Sequence, residues 1–193
     1  MMKKLCIFTG AANGNDPRFA EAAHQLGQML ASRNLGLVYG GGKSGLMGKI
    51  ADAVSALDGH TTGIIPKFLE KVEIAHRGLT DLHVTETMHQ RKKMMYDIAD
   101  GFIIMPGGLG TLDETMEIIT WRQLGLHRKP IIIANLYGYW DHMLLLFQNI
   151  IDGGFMHHGH TGHFEHVNDM DELADRLDLY FPTSYVDNDQ TQP

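Results

Sequence analysis

Three short apolar runs in this sequence each end in glycines, and each leads into a helical pattern. The runs cover residues 5–8, 35–39 and 102–105, and they have the length and composition of buried strands. Strands that are apolar on both faces and alternate with helices form parallel sheets covered on each side. We therefore expect α/β architecture: a single Rossmann-like, doubly wound parallel sheet with helices on both faces. This domain should occupy residues 1–182, and the polar segment 183–193 should be a disordered tail.

The carboxyl ends of parallel strands lie at one edge of a sheet, and ligands bind in the crevice outside that edge. Glycine loops follow all three runs, at residues 10–14, 40–45 and 106–110. The sequence therefore predicts that the three loops meet in one crevice.

The third loop has the composition of an anion site. Pro106, Gly107, Gly108 and Gly110 interrupt regular structure and leave backbone N–H groups uncovered by side chains. A helix is predicted to start at Thr111, and the dipole of its N-terminus adds partial positive charge to the loop. We interpret this segment as the phosphate cradle of a nucleotide-like ligand.

An alternative explains part of this pattern without a ligand. Thr111 and Glu114 have the spacing of a capping box, in which each side chain binds the backbone amide of the other residue. A capping box would account for these two residues, but not for the three glycines that precede them.

The second loop contains Gly42-Lys43-Ser44, which invites comparison with a nucleotide-binding P-loop. That motif requires a glycine five residues before Gly42, and Leu37 stands there. We reject a P-loop and interpret this segment as a second unit of strand, glycine loop and helix.

Two groups of charged residues could perform chemistry beside the cradle. Arg91 and Lys92 lie near the start of a helix that begins at Met88, where cations are electrostatically disfavoured, so they indicate either an anionic partner or a solvated basic turn. Glu114 lies on the first turn beyond the cradle and could orient a water or stabilise a developing cation. Its neighbour Asp113 is expected to face solvent.

Composition excludes several other functions. The net charge of −7 leaves no general basic face for nucleic acid. No apolar run is long enough for a membrane span, and the run after Lys4 is too short for a signal peptide, so we expect a cytoplasmic protein. The single cysteine, Cys6, cannot form an internal disulfide and is expected to be a buried core thiol.

Five histidines fall close together near the carboxyl end. Their spacing matches no closed zinc pattern and they lie among glycines, so we expect a surface loop and no metal site. They are His157, His158, His160, His163 and His166.

Three motifs together resemble those of one enzyme family. Residues 106–114 fit the pattern P-G-G-x-G-T-x-x-E, residues 88–92 (MHQRK) look like a second motif, and residues 40–48 are similar to a third. This combination resembles the LONELY GUY (LOG) family of cytokinin riboside 5'-monophosphate phosphoribohydrolases, often mislabelled lysine decarboxylases. The resemblance extends over nearly the whole chain, to about Leu179.

The resemblance implies a Rossmann-like homodimer that hydrolyses the N-glycosidic bond of AMP-type nucleotides, N6-prenylated or plain, with neither metal nor organic cofactor. Arg91 and Glu114 match the family's catalytic pair. The positions that match substrate contacts are Glu73, Lys92, Gly107, Gly108, Leu109, Gly110, Thr111, Leu112 and Asp113.

The sequence departs from the family's usual pattern at one turn, and a second function competes with the one that the resemblance implies. The family commonly has a Gly-Ser-Ser turn after the first strand, whereas this sequence has Gly10-Ala11-Ala12 and lacks both hydroxyls. The competing function is a non-catalytic carrier or sensor of a phosphorylated cofactor, as in molybdenum-cofactor carriers. The presence of both Arg91 and Glu114 favours the enzyme.

Overall fold

The structure is a computed structural model that describes residues 1–70, 75–156 and 162–182. Within these residues, seven strands form one sheet in the order β4-β3-β2-β1-β5-β6-β7, and every neighbouring pair is parallel. The strands are β1 (Lys4–Phe8), β2 (Gly36–Tyr39), β3 (Thr61–Pro66), β4 (Asp81–Thr85), β5 (Gly101–Ile104), β6 (Ile131–Ala134) and β7 (Glu165–Val167).

Six α-helices in the same residues cover both faces of the sheet. They are α1 (Pro17–Ser32), α2 (Gly45–Ser55), α3 (Met88–Ile98), α4 (Leu109–Gln123), α5 (Asp141–Asp152) and α6 (Met170–Tyr180). One apolar cluster holds buried residues of α1, α2 and α6, and a second holds those of α3, α4 and α5. The predicted fold class, a doubly wound α/β sheet, is confirmed.

Local sequence accounts for where two of these helices begin. The Asp16 side chain accepts a hydrogen bond from the backbone N–H of Arg18 at 2.9 Å, and Pro17 occupies the first helical position of α1. At the start of α3, Thr87 and Gln90 form a reciprocal capping box, which we did not predict.

Helices α1 and α2 approach each other closely at Gly27. A Cβ atom on Gly27 would lie 2.6 Å from both the Cβ of Ala53 and the carbonyl oxygen of Ile50. Because atoms do not approach so closely, the two helices can pack at this distance only with glycine at position 27.

Cys6 is fully buried, as predicted. His157, His158, His160 and the segment 183–193 lie outside the described residues. Over the described ranges, no three His, Cys, Asp or Glu side chains are grouped as a metal ion would require. In those ranges, too, each helix is too short or too polar to cross a membrane.

We predict that Gly27→Ala destabilises the protein. Overpacking costs about 1–3 kcal/mol, whereas the gain in helix propensity is roughly 1 kcal/mol, so we expect a net loss of stability on the order of 1 kcal/mol. Urea denaturation measures the change, and Gln28→Ala on the exposed side of α1 is the control. Unchanged or increased stability in Gly27→Ala would contradict the close packing of α1 on α2.

Candidate active site

The third glycine loop is fixed at its start by contacts that leave no space for a side chain at position 107. The carbonyl oxygen of Pro106 accepts hydrogen bonds from the N–H of Gly10 at 3.1 Å and from the hydroxyl of Thr9 at 2.9 Å. A Cβ atom on Gly107 would lie 2.1 Å from Oγ1 of Thr111 and 2.9 Å from the nitrogen of Gly10. Only glycine can occupy position 107 in this arrangement.

The loop opens directly into the N-terminus of α4. The helix begins at Leu109, two residues before the predicted start at Thr111, and its N-cap residue, Gly108, is extended and has no side chain that could cap the helix. The N–H groups of a first helical turn have no acceptor within the helix. These amides, with the helix dipole behind them, are therefore suited to bind an anion.

The capping-box alternative for Thr111 and Glu114 is wrong. Thr111 lies inside the first turn of α4 rather than before it, and its carbonyl oxygen accepts a hydrogen bond from the hydroxyl of Thr115 at 2.6 Å. The Glu114 carboxylate binds Arg91 instead of a helix amide. The sequence has the spacing of a capping box, but the helix begins at Leu109, before Thr111.

Arg91 of α3 and Glu114 of α4 form a buried ion pair at the carboxyl edge of the sheet. Nη1 of Arg91 donates to Oε1 of Glu114 at 2.7 Å, and Nε of Arg91 donates to the carbonyl oxygen of Ile64 at 3.0 Å. The two residues are 7% and 9% exposed. A Cβ atom on Gly40 would lie 2.3 Å from Nη2 of Arg91, so the glycine of the second loop makes room for the guanidinium.

Burial and charge act in opposite directions on the Glu114 carboxyl. Burial raises its pKa, and the Arg91 guanidinium lowers it only in part, so the net shift is upward from the ordinary value for glutamate. A carboxyl group with a raised pKa can exchange a proton with a ligand in this cleft. In its ionised form the same group can stabilise a developing cation, because water does not screen it.

The three glycine loops meet, as the sequence predicted. The first and third are joined by the hydrogen bond from Gly10 to Pro106. The second loop meets the first at Gly45, where a Cβ atom would lie 2.3 Å from the carbonyl carbon of Ala11. The first turn of α2, which follows the second loop, is hydrogen-bonded to the first loop: the N–H of Met47 donates to the carbonyl oxygen of Gly10 at 3.3 Å, and that of Leu46 donates to the carbonyl oxygen of Ala12 at 3.4 Å.

Two clefts adjoin these loops. The first, of about 340 Å³, contains both the amide cradle and the ion pair; it is lined by Thr9, Gly10, Ala11, Met47, Leu69, Met88, Arg91, Gly108, Gly110, Thr111, Asp113 and Glu114. The second, of about 370 Å³, shares Gly10, Ala11 and Gly108 with the first and has the largely apolar walls of Phe19, Leu46 and Tyr139. We identify the first, the reaction cleft, as the candidate active site because it brings together an anion cradle and buried charges.

Two of the predicted substrate contacts, Lys92 and Leu112, lie away from the reaction cleft. Nζ of Lys92 lies 3.2 Å from a carboxylate oxygen of Asp113 and 3.1 Å from one of Glu117, so its ammonium group faces α4. The side chain of Leu112 packs against the apolar cluster of α3, α4 and α5. Neither residue is among the described residues that line the reaction cleft. Glu73 lies outside the described residues.

Several residues of the site carry no signal in the sequence. Met47, Leu69 and Met88 line the reaction cleft, and the hydroxyl of Tyr139 donates to the carbonyl oxygen of Gly107 at 2.6 Å. The first three are ordinary apolar residues, and Tyr139 reaches the loop from the segment between β6 and α5, so no local pattern distinguishes any of them.

Comparisons with known proteins agree with this arrangement. A family model described as "Possible lysine decarboxylase" matches residues 47–177. The chain is 45% identical over 154 residues to cytokinin riboside 5'-monophosphate phosphoribohydrolase LOG7 of Arabidopsis thaliana, which covers 80% of this chain and 71% of the relative. It is 40% identical over 176 residues to probable cytokinin riboside 5'-monophosphate phosphoribohydrolase LOG4 of Oryza sativa subsp. japonica, covering 91% and 76%.

Solved structures show a likeness of fold. The molybdenum cofactor binding protein from Rippkaea orientalis superposes with a TM-score of 0.70 at 19% identity, over 93% of this chain and 97% of that one. The molybdenum cofactor carrier protein from Chlamydomonas reinhardtii gives 0.70 at 15% identity, over 93% and 98%. At these identities the likeness concerns architecture alone.

We predict that Arg91→Met destabilises the protein in a pH-dependent way. The variant leaves Glu114 buried without its counter-charge, which costs about 3–5 kcal/mol at pH 8. Because the folded-state pKa of this carboxyl then lies further above its unfolded value, the folded state takes up the proton first as the pH falls. The deficit should therefore shrink from pH 8 to pH 5, as measured by urea denaturation.

Two further variants test the cause of this deficit. Arg91→Met combined with Glu114→Gln should restore part of the stability at pH 8, because no buried charge remains. Lys93→Met removes an exposed pair with Asp97 and should change little at any pH. A deficit in Arg91→Met that is equal at pH 8 and pH 5 would show that lost packing, rather than the charge of Glu114, causes it.

Proposed function

This chain belongs to the LOG family of phosphoribohydrolases, and from that premise we propose that it hydrolyses the N-glycosidic bond of adenosine 5'-monophosphate, N6-prenylated or plain. The products are the free base, a cytokinin or adenine, and ribose 5-phosphate. The observation that carries the proposal is the reaction cleft, where bare amides of the third loop adjoin the buried pair of Arg91 and Glu114. Its volume of about 340 Å³ lies within the range of small-molecule sites.

The phosphate binds at the N-terminus of α4, to the amides of residues 107–111. This contact is remote from the reacting bond, so its binding energy holds the ribose in position and lowers the barrier to reaction. A Cβ atom at position 108 or 110 would meet no other atom of the protein within 4 Å, so the space beside both glycines is open. Because glycine places no side chain in that space, the phosphate can approach the backbone amides closely.

Glu114 acts at the anomeric carbon. As the bond from C1' to the base nitrogen breaks, its electron pair leaves with the base and positive charge develops on the ribose. The ionised carboxylate stabilises that charge. Water supplies its oxygen to C1', and its two protons are divided between the new hydroxyl and the departing base, with Glu114 suited to relay the second one. Arg91 holds the carboxylate in place and keeps a positive charge beside it.

Further properties belong to the same proposal. We expect a homodimer in the cytoplasm whose site needs no metal or organic cofactor, and the net charge of −7 gives no support for a nucleic-acid partner. A single domain over residues 1–182 is supported by the one sheet that contains all the described strands. Glu73 and Lys92 stay proposed substrate contacts by their place in the family motifs, although Lys92 would first have to leave its acidic partners on α4.

A carrier of a phosphorylated cofactor is the competing function. The structures named for molybdenum cofactor binding resemble this chain at no more than 19% identity, which supports fold and not ligand. A carrier has no need of a buried carboxylate beside its phosphate cradle, so the position of Glu114 favours the enzyme.

We predict that Glu114→Gln and Arg91→Ala each lower kcat by a factor of about 10² or more, because each removes the positioned carboxylate or its support. Incubation with AMP and with isopentenyl-AMP, followed by chromatography for the free base, measures turnover. Lys93→Ala, on the exposed face of α3, should keep wild-type activity.

The outcomes distinguish the two functions and test the two residues separately. Base release by the wild type that is lost in both variants supports the hydrolase. Full activity in both variants would remove the proposed roles of Arg91 and Glu114. Nucleotide binding by the wild type without release of base would instead indicate a carrier or sensor.

A further inference from the structure

Tyr139 contacts the phosphate loop from a distant part of the chain. It follows a turn at residues 136–138, after β6, in which Tyr137 and Gly138 have left-handed backbone conformations with φ of 58° and 73°. Its hydroxyl donates to the carbonyl oxygen of Gly107 at 2.6 Å. Its ring packs edge-on against Phe19, with centroids 5.3 Å apart, in the wall of the second cleft.

This hydrogen bond determines which way a peptide group faces. In a trans peptide the C=O and the N–H of the next residue point in opposite directions. Because the carbonyl of Gly107 points toward Tyr139 in the wall of the second cleft, the N–H of Gly108 points away from that wall. Gly108 lines both clefts, so its N–H can face the reaction cleft while the carbonyl of Gly107 faces the second.

The opposite orientation of this peptide would abolish the cradle. Residues 107 and 108 are both glycine, so no Cβ atom opposes rotation of the peptide between them. A rotated peptide would direct the carbonyl oxygen of Gly107 at the bound anion and repel it. The adjacent carbonyl, that of Pro106, is held separately by Thr9 and Gly10.

We propose that Tyr139 is a positioning residue for the phosphate cradle: its hydroxyl holds the peptide between Gly107 and Gly108 with the N–H directed at the 5'-phosphate of the substrate. This inference rests on the proposed function for the identity of the ligand. Tyr139 is 41% exposed, so loss of its hydroxyl leaves no buried polar group on the tyrosine side. Its effect should therefore fall on phosphate binding more than on folding.

Tyr139→Phe tests this role, and Tyr137→Phe is the matched control. Tyr137 lies in the same turn, and its ring lies 4.2 Å from the Arg18 guanidinium, which the substitution retains. Calorimetry gives the Kd of ribose 5-phosphate, and steady-state kinetics with AMP gives kcat and KM. We expect Tyr139→Phe to raise both Kd and KM on the order of fivefold, with kcat changed less than about twofold. Tyr137→Phe should match the wild type.

Adenosine, which lacks the phosphate, provides a second readout. Its inhibition constant should be the same in the wild type and in Tyr139→Phe, because the cradle does not touch it. Unchanged Kd for ribose 5-phosphate in Tyr139→Phe, an equal loss in Tyr137→Phe, or an equal loss for adenosine would each overturn the role of Tyr139.

The test separates this inference from the proposed function. A wild type that releases no base but binds ribose 5-phosphate in a Tyr139-dependent way would refute the hydrolase and support the positioning role. A wild type that hydrolyses AMP while Tyr139→Phe does so with unchanged KM would support the hydrolase and refute the positioning role. A wild type that neither releases base from AMP nor binds ribose 5-phosphate would refute both.

Discussion

The buried ion pair between Arg91 and Glu114 is the contact on which the rest of the site depends. Removing two charges from water is costly, and the cost is offset here by their mutual hydrogen bond and by the bond from Arg91 to the carbonyl of Ile64. The pair joins α3 to α4 at the carboxyl edge of the sheet. It also provides a carboxylate whose position is fixed before any ligand arrives, which is the condition for electrostatic catalysis.

The glycine loops give this pair its surroundings. Gly40 leaves space for the guanidinium of Arg91, and Gly107 lets Thr111 and the first loop come together. Because the first loop is hydrogen-bonded through its backbone to both the third loop and α2, neighbouring elements hold the segments that carry the free amides. Chain connectivity thus converts three separate strand ends into one polar cleft.

Much of the fold and part of the site could be predicted from sequence. The fold class followed from alternating apolar strands and helices, and the meeting of the loops followed from their positions after strands. The start of α4 was predicted wrongly, because Leu109 and Gly110 carry no local signal for a helix and Thr111 with Glu114 imitates a cap. The pairing of Lys92 with Asp113 and Glu117, and the contact of Tyr139 with Gly107, depend on tertiary packing that no local pattern records.

A crystal structure with ribose 5-phosphate bound is the most direct test of the central claim, that one cleft binds the phosphate at backbone amides and presents the anomeric carbon to Glu114. The expected result is phosphate oxygens within hydrogen-bonding distance, about 2.7–3.2 Å, of N–H groups among residues 107–111, with C1' facing the Glu114 carboxylate. A phosphate bound in the second cleft, or a ribose turned away from Glu114, would contradict it.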